Sequence, residues 1–128
     1  MIGELEMSYE ICECPVIGIT GTNGKTTTTE LVARMLNACG DRTMACGNIG
    51  PAFAATVRHS AALNVITLEV SSFQLEKIRD FRARVSVWLN FAPDHLDRYA
   101  TVGEYRAASH AAPEDWGGGR LHSAPKAP

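Results

Sequence analysis

A chain of 128 residues, 45% hydrophobic and 20% charged, is long enough for one globular domain and too apolar to remain disordered. Its formal net charge of −2 leaves no broad basic field for nucleic acid or anionic lipid, so any polyanion must be held locally. There is no apolar run of about eighteen residues and no basic leader followed by an apolar stretch, which predicts a cytoplasmic protein with no nucleic-acid or membrane partner.

Residues 1–15 read as a short lead-in. Cys12 and Cys14, with Cys39 and Cys46 further on, lack the paired Cys-x-x-Cys spacing of a zinc ribbon, so reduced, mostly buried thiols are expected. Val16-Ile17-Gly18-Ile19-Thr20 is a short apolar run closed by a glycine-rich turn, the pattern of a first strand. Residues 26–39 then carry Leu31, Val32, Met35, Leu36 and Cys39 at helical spacing, and Gly40 stops that helix where a left-handed cap is usual. A second strand is expected over residues 43–46. After the turn Gly47-Asn48-Ile49-Gly50-Pro51, a short helix is expected over residues 52–59, with Pro51 suited to its first turn.

Val65, Ile66, Leu68 and Val70 make residues 64–70 too apolar for a sheet with one wet face, which predicts a strand covered on both sides. Ser71 and Gln74 form a capping box, so a helix should begin there and partly bury Phe73, Leu75 and Ile78. Val85-Ser86-Val87-Trp88-Leu89 is the next strand. A loop over residues 90–100 follows, and Thr101 with Glu104 forms a second capping box opening a helix that ends by Pro113. Residues 113–128, with Gly117-Gly118-Gly119 and no apolar period, read as a loose tail. Strands alternating with helices imply right-handed crossovers and an α/β fold, a mostly parallel sheet flanked by helices whose ligands sit beyond the carboxyl ends of the strands.

The strongest chemical signal is Gly21-Thr22-Asn23-Gly24-Lys25-Thr26-Thr27, set between the first strand and the first helix. Successive backbone N–H groups at a helix start attract phosphate, and the glycines let the backbone come close. Lys25 adds a point charge, and the hydroxyl of Thr26 stands where such P-loops ligate Mg²⁺. Ile19 occupies the place of the first glycine in the longer pattern, so this is a short variant. The alternative is a glycine turn beside an exposed lysine. Glu69 sits near the end of a fully apolar strand, where a carboxylate is costly unless a metal or hydrogen bonds answer its charge; a Mg²⁺ ligand is the functional reading and a solvated strand-end acid the plain one. Asp94-His95-Leu96-Asp97-Arg98 concentrates acids, an imidazole and a guanidinium in a loop after a strand, which is either functional or an ordinary polar loop. His59, His110 and His122 have no such neighbours and read as surface residues.

In order, these motifs resemble the central ATP-binding domain of the Mur ligase family, which adds amino acids to the peptidoglycan precursor. The resemblance rests on residues 21–27, on Gly47-Asn48-Ile49-Gly50, on Glu69-Val70-Ser71-Ser72-Phe73-Gln74-Leu75-Glu76, and on Asp94-His95-Leu96-Asp97-Arg98-Tyr99, and it extends over about residues 3–108. The Ser-Ser-Phe-Gln-Leu-Glu string is most similar to the D-glutamate-adding branch. The resemblance implies UDP-N-acetylmuramoyl-L-alanine, D-glutamate and ATP as substrates, with the substrate carboxylate attacking the γ-phosphate to give an acyl phosphate that the amine then opens. It further implies that Lys25 holds the β and γ phosphates, that Thr26 and Glu69 hold one Mg²⁺, that His95 ligates or flanks a second metal near the reacting groups, and that Asn48 and Ser71, with His95, face the nucleotide-sugar substrate.

The chain also departs from the family pattern. An ATP-binding central domain is expected over residues 16–112, without the uridine-binding domain before it or the C-terminal domain after it. Ser109 stands where the family places a lysine, and the likeness ends at His110. The expectation is a fragment that binds nucleotide weakly and does not complete ligation. Two alternatives are a non-catalytic remnant with an exposed sheet edge and a folylpolyglutamate-type ligase, against which the Ser-Ser-Phe-Gln-Leu-Glu string argues. A P-loop kinase or GTPase is the least favoured alternative, since the guanine-reading Asn-Lys-x-Asp that a GTPase would want does not occur.

Overall fold

The computed structural model describes residues 3–90 and the backbone of His122 and Ser123. Five strands form one all-parallel sheet: β1 (Val16–Thr20), β2 (Thr43–Gly47), β3 (Val65–Glu69), β4 (Val85–Trp88) and the two-residue β5 (His122–Ser123). Their order is β2-β3-β1-β4-β5, so β1 lies inside the sheet with β3 on one side and β4 on the other. β-Branched residues fill most of β1 and β3, as a pleated surface covered on both faces favours. From Ile66 to Glu69, β3 is buried throughout, on both faces, as its composition predicts.

Side chains alternate across the sheet. Val16, Cys46, Ile66 and Leu68 face one layer and pack with Leu5, Phe53, Val57, Leu75 and Phe81. That layer comprises α1 (Glu4–Glu10), α3 (Phe53–Thr56), a 3-10 segment (Val57–Ala62) and α4 (Ser72–Leu75). The opposite face, with Ile19, Thr67 and Glu69, is covered by α2 (Lys25–Ala38), which packs on β1, β2 and β3.

The elements expected from the sequence up to residue 89 are present, with four differences. Residues 1–15 were expected as a lead-in, yet they contain α1, whose inward face is Leu5, Glu6 and Ser8. The buried carboxylate of Glu6 replaces an apolar contact: it accepts hydrogen bonds from the N–H groups of Arg79 (2.6 Å), Asp80 (3.0 Å) and Phe81 (3.0 Å). Tyr9 meets Phe81 edge-on, with centroids 5.1 Å apart.

In α2 the residues turned to the sheet are Thr29 and Ala33, while Leu31 and Met35 stay 53% and 59% exposed. Small side chains let the helix lie close to the strands, and the Thr29 hydroxyl is satisfied by donating to Lys25 O at 2.7 Å. Pro51 lies outside α3, whose N-cap is Ala52; its carbonyl instead accepts from Gly47 N–H at 3.1 Å. The capping box at Ser71 and Gln74 is formed on both sides but opens only a four-residue helix.

β5 falls within the stretch expected to be a loose tail. The loop of residues 91–100, the helix expected from Thr101 and the Tyr105–Ser109 region lie outside the described residues. All four thiols are free: Cys14 and Cys46 are buried, Cys12 half-buried and Cys39 exposed, so the expectation of burial holds for only part of the set. No helix among the described residues is long and apolar enough to cross a membrane.

Candidate functional site

The carboxyl ends of β1, β2, β3 and β4 open on the same edge of the sheet, because all four run parallel. From β1 the chain crosses to β2 on one side, and from β3 it crosses to β4 on the other, so the crevice beside β1 is a switch point of the kind that holds ligands in open α/β sheets. Residues 21–27 rise from this point. Gly21 (φ +143°) and Gly24 (φ +83°) adopt left-handed backbone that side chains rarely tolerate. A Cβ on Gly21 would also sit 3.1 Å from Leu89 Cβ and 3.2 Å from Asn90 N.

Gly24 is the N-cap of α2 and, having no side chain, does not cap that helix. The amides of Lys25, Thr26 and Thr27 open it and have no carbonyl partner within the helix. They share the positive end of a fourteen-residue helix dipole with the Lys25 ammonium. Lys25 Nζ donates to Gly21 O (2.8 Å) and Thr22 O (3.1 Å), which folds the side chain back over the loop. Asn23, Gly24, Thr26 and Thr27 are exposed, and Thr22 is half-buried.

Glu69 closes the other side. It is 2% exposed, and Thr26 Oγ1 donates to its Oε2 at 3.0 Å. No lysine, arginine or histidine among the described residues pairs with it, so a buried carboxylate is answered here by a hydroxyl and no cation. A carboxylate and a hydroxyl side by side are hard oxygen donors of the kind Mg²⁺ prefers, and an ion carrying most of its own waters and phosphate ligands needs few from the protein. The residues present therefore fit the metal. No cluster of three or more His, Cys, Asp or Glu residues with metal-binding geometry occurs among the described residues.

The end of β2 abuts Glu69. Gly47 (φ +114°) has its Cα so near Glu69 that an added Cβ would lie 2.3 Å from Glu69 O. Asn48 N–H donates to that same carbonyl at 3.2 Å, which leaves the Asn48 side chain exposed at the edge of the crevice. Ser71 lies beyond β3, and its hydroxyl is engaged within the capping box, accepting from Gln74 N–H at 3.4 Å and meeting Gln74 Oε1 at 3.2 Å. The fold thus brings together the loop, Glu69 and Asn48, with Ser71 two residues on. His95, with Asp94, Asp97 and Arg98, lies outside the described residues.

Residues 19–111 match the family model described as Mur ligase middle domain. The chain belongs to the Mur ligase family. Several of its relatives carry the name UDP-N-acetylmuramoylalanine--D-glutamate ligase. That of Alkaliphilus oremlandii is 48% identical over 108 residues, which cover 84% of this chain and 24% of the relative. Those of Pelotomaculum thermopropionicum and Geotalea uraniireducens are each 49% identical over 105 residues, covering 82% of this chain and 23% of the relative. This Mur ligase chain therefore spans about a quarter of the length of the curated relatives it matches.

Two residues, Gly47 and Asn90, join the candidate site through contacts that their motif or position in the chain does not show. Gly47 stood inside a quoted turn, but its approach to Glu69 depends on a pairing between distant segments. Asn90 begins the loop expected over residues 90–100, yet its side chain and carbonyl reach the backbone of Thr22 and Asn23. No sequence signal marks that contact, since an asparagine after a strand is a common turn residue.

Proposed function

We propose that this Mur ligase chain holds ATP with Mg²⁺ on residues 21–27, and that the whole protein joins D-glutamate to UDP-N-acetylmuramoyl-L-alanine in peptidoglycan precursor synthesis, in the cytoplasm. The observation that carries the nucleotide reading is the meeting of Thr26 and Glu69 at the foot of a helix start whose N-cap, Gly24, has no side chain to cap it. The relatives' name carries the substrates.

Transfer of a phosphoryl group is largely a matter of positioning and of answering charge on oxygen. The amides of Lys25, Thr26 and Thr27 surround the phosphate chain, and the Lys25 ammonium turns from Gly21 O and Thr22 O toward the β and γ phosphates. Thr26 and Glu69 would hold Mg²⁺, which when bound would neutralise phosphate charge. The carboxylate of the nucleotide-sugar peptide attacks the γ-phosphorus as ADP leaves, and the amine of D-glutamate opens the acyl phosphate and releases phosphate. Asn48 and Ser71 are proposed to face the nucleotide-sugar, and His95 to serve a second metal and the reacting groups.

Titration calorimetry with Mg·ATP tests the nucleotide site: the expected result is binding by the wild-type chain and at least a roughly tenfold loss in Lys25→Ala, in line with the removal of a charge-assisted contact. Equal heats for the two proteins would overturn the reading. For these 128 residues alone, we expect nucleotide binding without D-glutamate-dependent phosphate release, and substantial turnover in that assay contradicts the fragment reading.

A further inference from the structure

Asn90 lies two residues beyond β4, and its two polar side-chain atoms are both spent on the phosphate loop. Its Oδ1 accepts from Thr22 N–H (3.1 Å) and Asn23 N–H (2.9 Å), while its Nδ2 donates to Asn23 O (2.8 Å). Its main-chain carbonyl accepts from the indole N–H of Trp88 (3.0 Å) and lies 3.3 Å from Thr22 N. Leu89 beside it is hydrogen-bonded to Thr20 O through its N–H at 3.0 Å and packs on Gly21 and Gly24. The end of β4 therefore grips the first half of the loop from a position 67 to 68 residues away in sequence.

The grip divides the loop's amides into two sets. Those of Thr22 and Asn23 point to Asn90 and cannot serve a ligand without breaking those bonds. Those of Lys25, Thr26 and Thr27 open α2 and remain turned to the crevice. A side-chain amide is the one group that supplies an acceptor for two N–H groups and a donor for a carbonyl from a single planar head. Alanine would leave the N–H and carbonyl of Asn23 to water and Thr22 N–H with only its 3.3 Å contact to the residue-90 carbonyl, and the glycine-rich segment freer to sample other conformations.

We infer that Asn90 is a positioning residue for the phosphate loop, holding residues 22 and 23 so that the amides of residues 25–27 stand ready for phosphate. The inference rests on the nucleotide reading given above. Pre-organisation raises affinity by removing the ordering that a ligand would otherwise impose. Losing the bonds of Asn90 should weaken Mg·ATP binding about tenfold, the effect of one to two ordinary hydrogen bonds.

The test combines calorimetry with amide hydrogen exchange read by NMR. In the wild-type chain the amides of Thr22 and Asn23 should exchange slowly with and without Mg·ATP, whereas those of Lys25, Thr26 and Thr27 should become protected only when nucleotide is added. In Asn90→Ala, protection at Asn23 should vanish and that at Thr22, which keeps the residue-90 carbonyl, should weaken, while that of β1 and β3 should persist and the affinity for Mg·ATP should fall. Wild-type affinity in a folded Asn90→Ala overturns the inference and leaves the nucleotide reading intact. Fast exchange of Thr22 and Asn23 in the wild-type protein overturns it as well, and requires no variant to fold. Absence of Mg·ATP binding by the wild type itself sinks the nucleotide reading, and this inference with it.

Discussion

Thr26 Oγ1 donates a 3.0 Å hydrogen bond to Glu69 Oε2 across 43 residues of sequence, joining the start of α2 to the end of β3. The contact gives each partner a reason for its place. A carboxylate that is 2% exposed would be strongly disfavoured without hydrogen bonds, and a threonine at the second position of a helix has its hydroxyl free to reach inward.

Glu69→Gln separates the metal from the phosphates. The amide keeps an acceptor for Thr26 but loses the charge that a divalent cation needs. The expected outcome is about a tenfold or greater loss of Mg·ATP affinity, with the affinity for ATP in excess chelator nearly unchanged. Equal losses with and without magnesium would show that Glu69 acts on the nucleotide by another route.

Gly47→Ala should destabilise the fold. The substitution forces a methyl to within 2.3 Å of Glu69 O in backbone that is already left-handed, so β2 and β3 must move apart. A loss of about 1–3 kcal/mol or more, the range for overpacked sites, is expected in urea unfolding. A folded variant of wild-type stability would mean that the two strand ends separate freely.

Glu6 makes stability depend on pH in a direction fixed by its surroundings. Burial by itself pushes the carboxyl up, but the backbone N–H groups of Arg79, Phe81 and Asp80 and the charge of Arg82 outweigh it, and the group lies below its ordinary value of 4.5. A folded-state value below the unfolded one adds stability that is complete above the unfolded value and is lost as pH falls through the depressed folded value. Glu6→Ala should therefore lower the stability at neutral pH, by the roughly 1–3 kcal/mol of leaving buried and partly buried N–H groups unpaired, and should flatten the acid limb of the stability curve below the ordinary carboxylate range. An unchanged acid limb would place the pH dependence elsewhere.

The thiols should react in a fixed order. Burial pushes Cys46 up to about 11 and raises Cys14 as well, where the neighbouring Cys12 adds to the effect, so neither offers thiolate at neutral pH. Cys39 is exposed on the last turn of the α2 region. Mass spectrometry after brief treatment with iodoacetamide should find Cys39 modified first and Cys14 and Cys46 only on unfolding. Early labelling of Cys46 would contradict the packing of β2 against α3.

The sequence made the strands and the loop legible because their signals are local. Val16 to Thr20 and Val65 to Glu69 are short runs dominated by Val, Ile and Leu, and the glycine, lysine and threonine spacing of residues 21–27 encodes its own conformation. The capping box at Ser71 and Gln74 was equally readable. What escaped depends on partners far along the chain. The inward face of α1 carries Glu6 and Ser8 while Met7 and Ile11 face outward, so an apolar period points the wrong way. In α2 the same misdirection arises because the sheet takes Thr29 and Ala33 and leaves Leu31 and Met35 outside. Within the site, Lys25, Thr26 and Glu69 could be named from type and position, whereas Gly47 and Asn90 matter through what they approach.

The placement of β1 between β3 and β4 sets an order of assembly. Val16 pairs with Ile66 and Ile17 with Val85, so the strand that carries the loop is flanked by segments translated long after it. Ring closures of that span are slow to form compared with a helix or a hairpin. During synthesis the glycine turn is made early but stays without its walls until residue 90 has emerged, and a nucleotide can lend no support to the nascent chain before then.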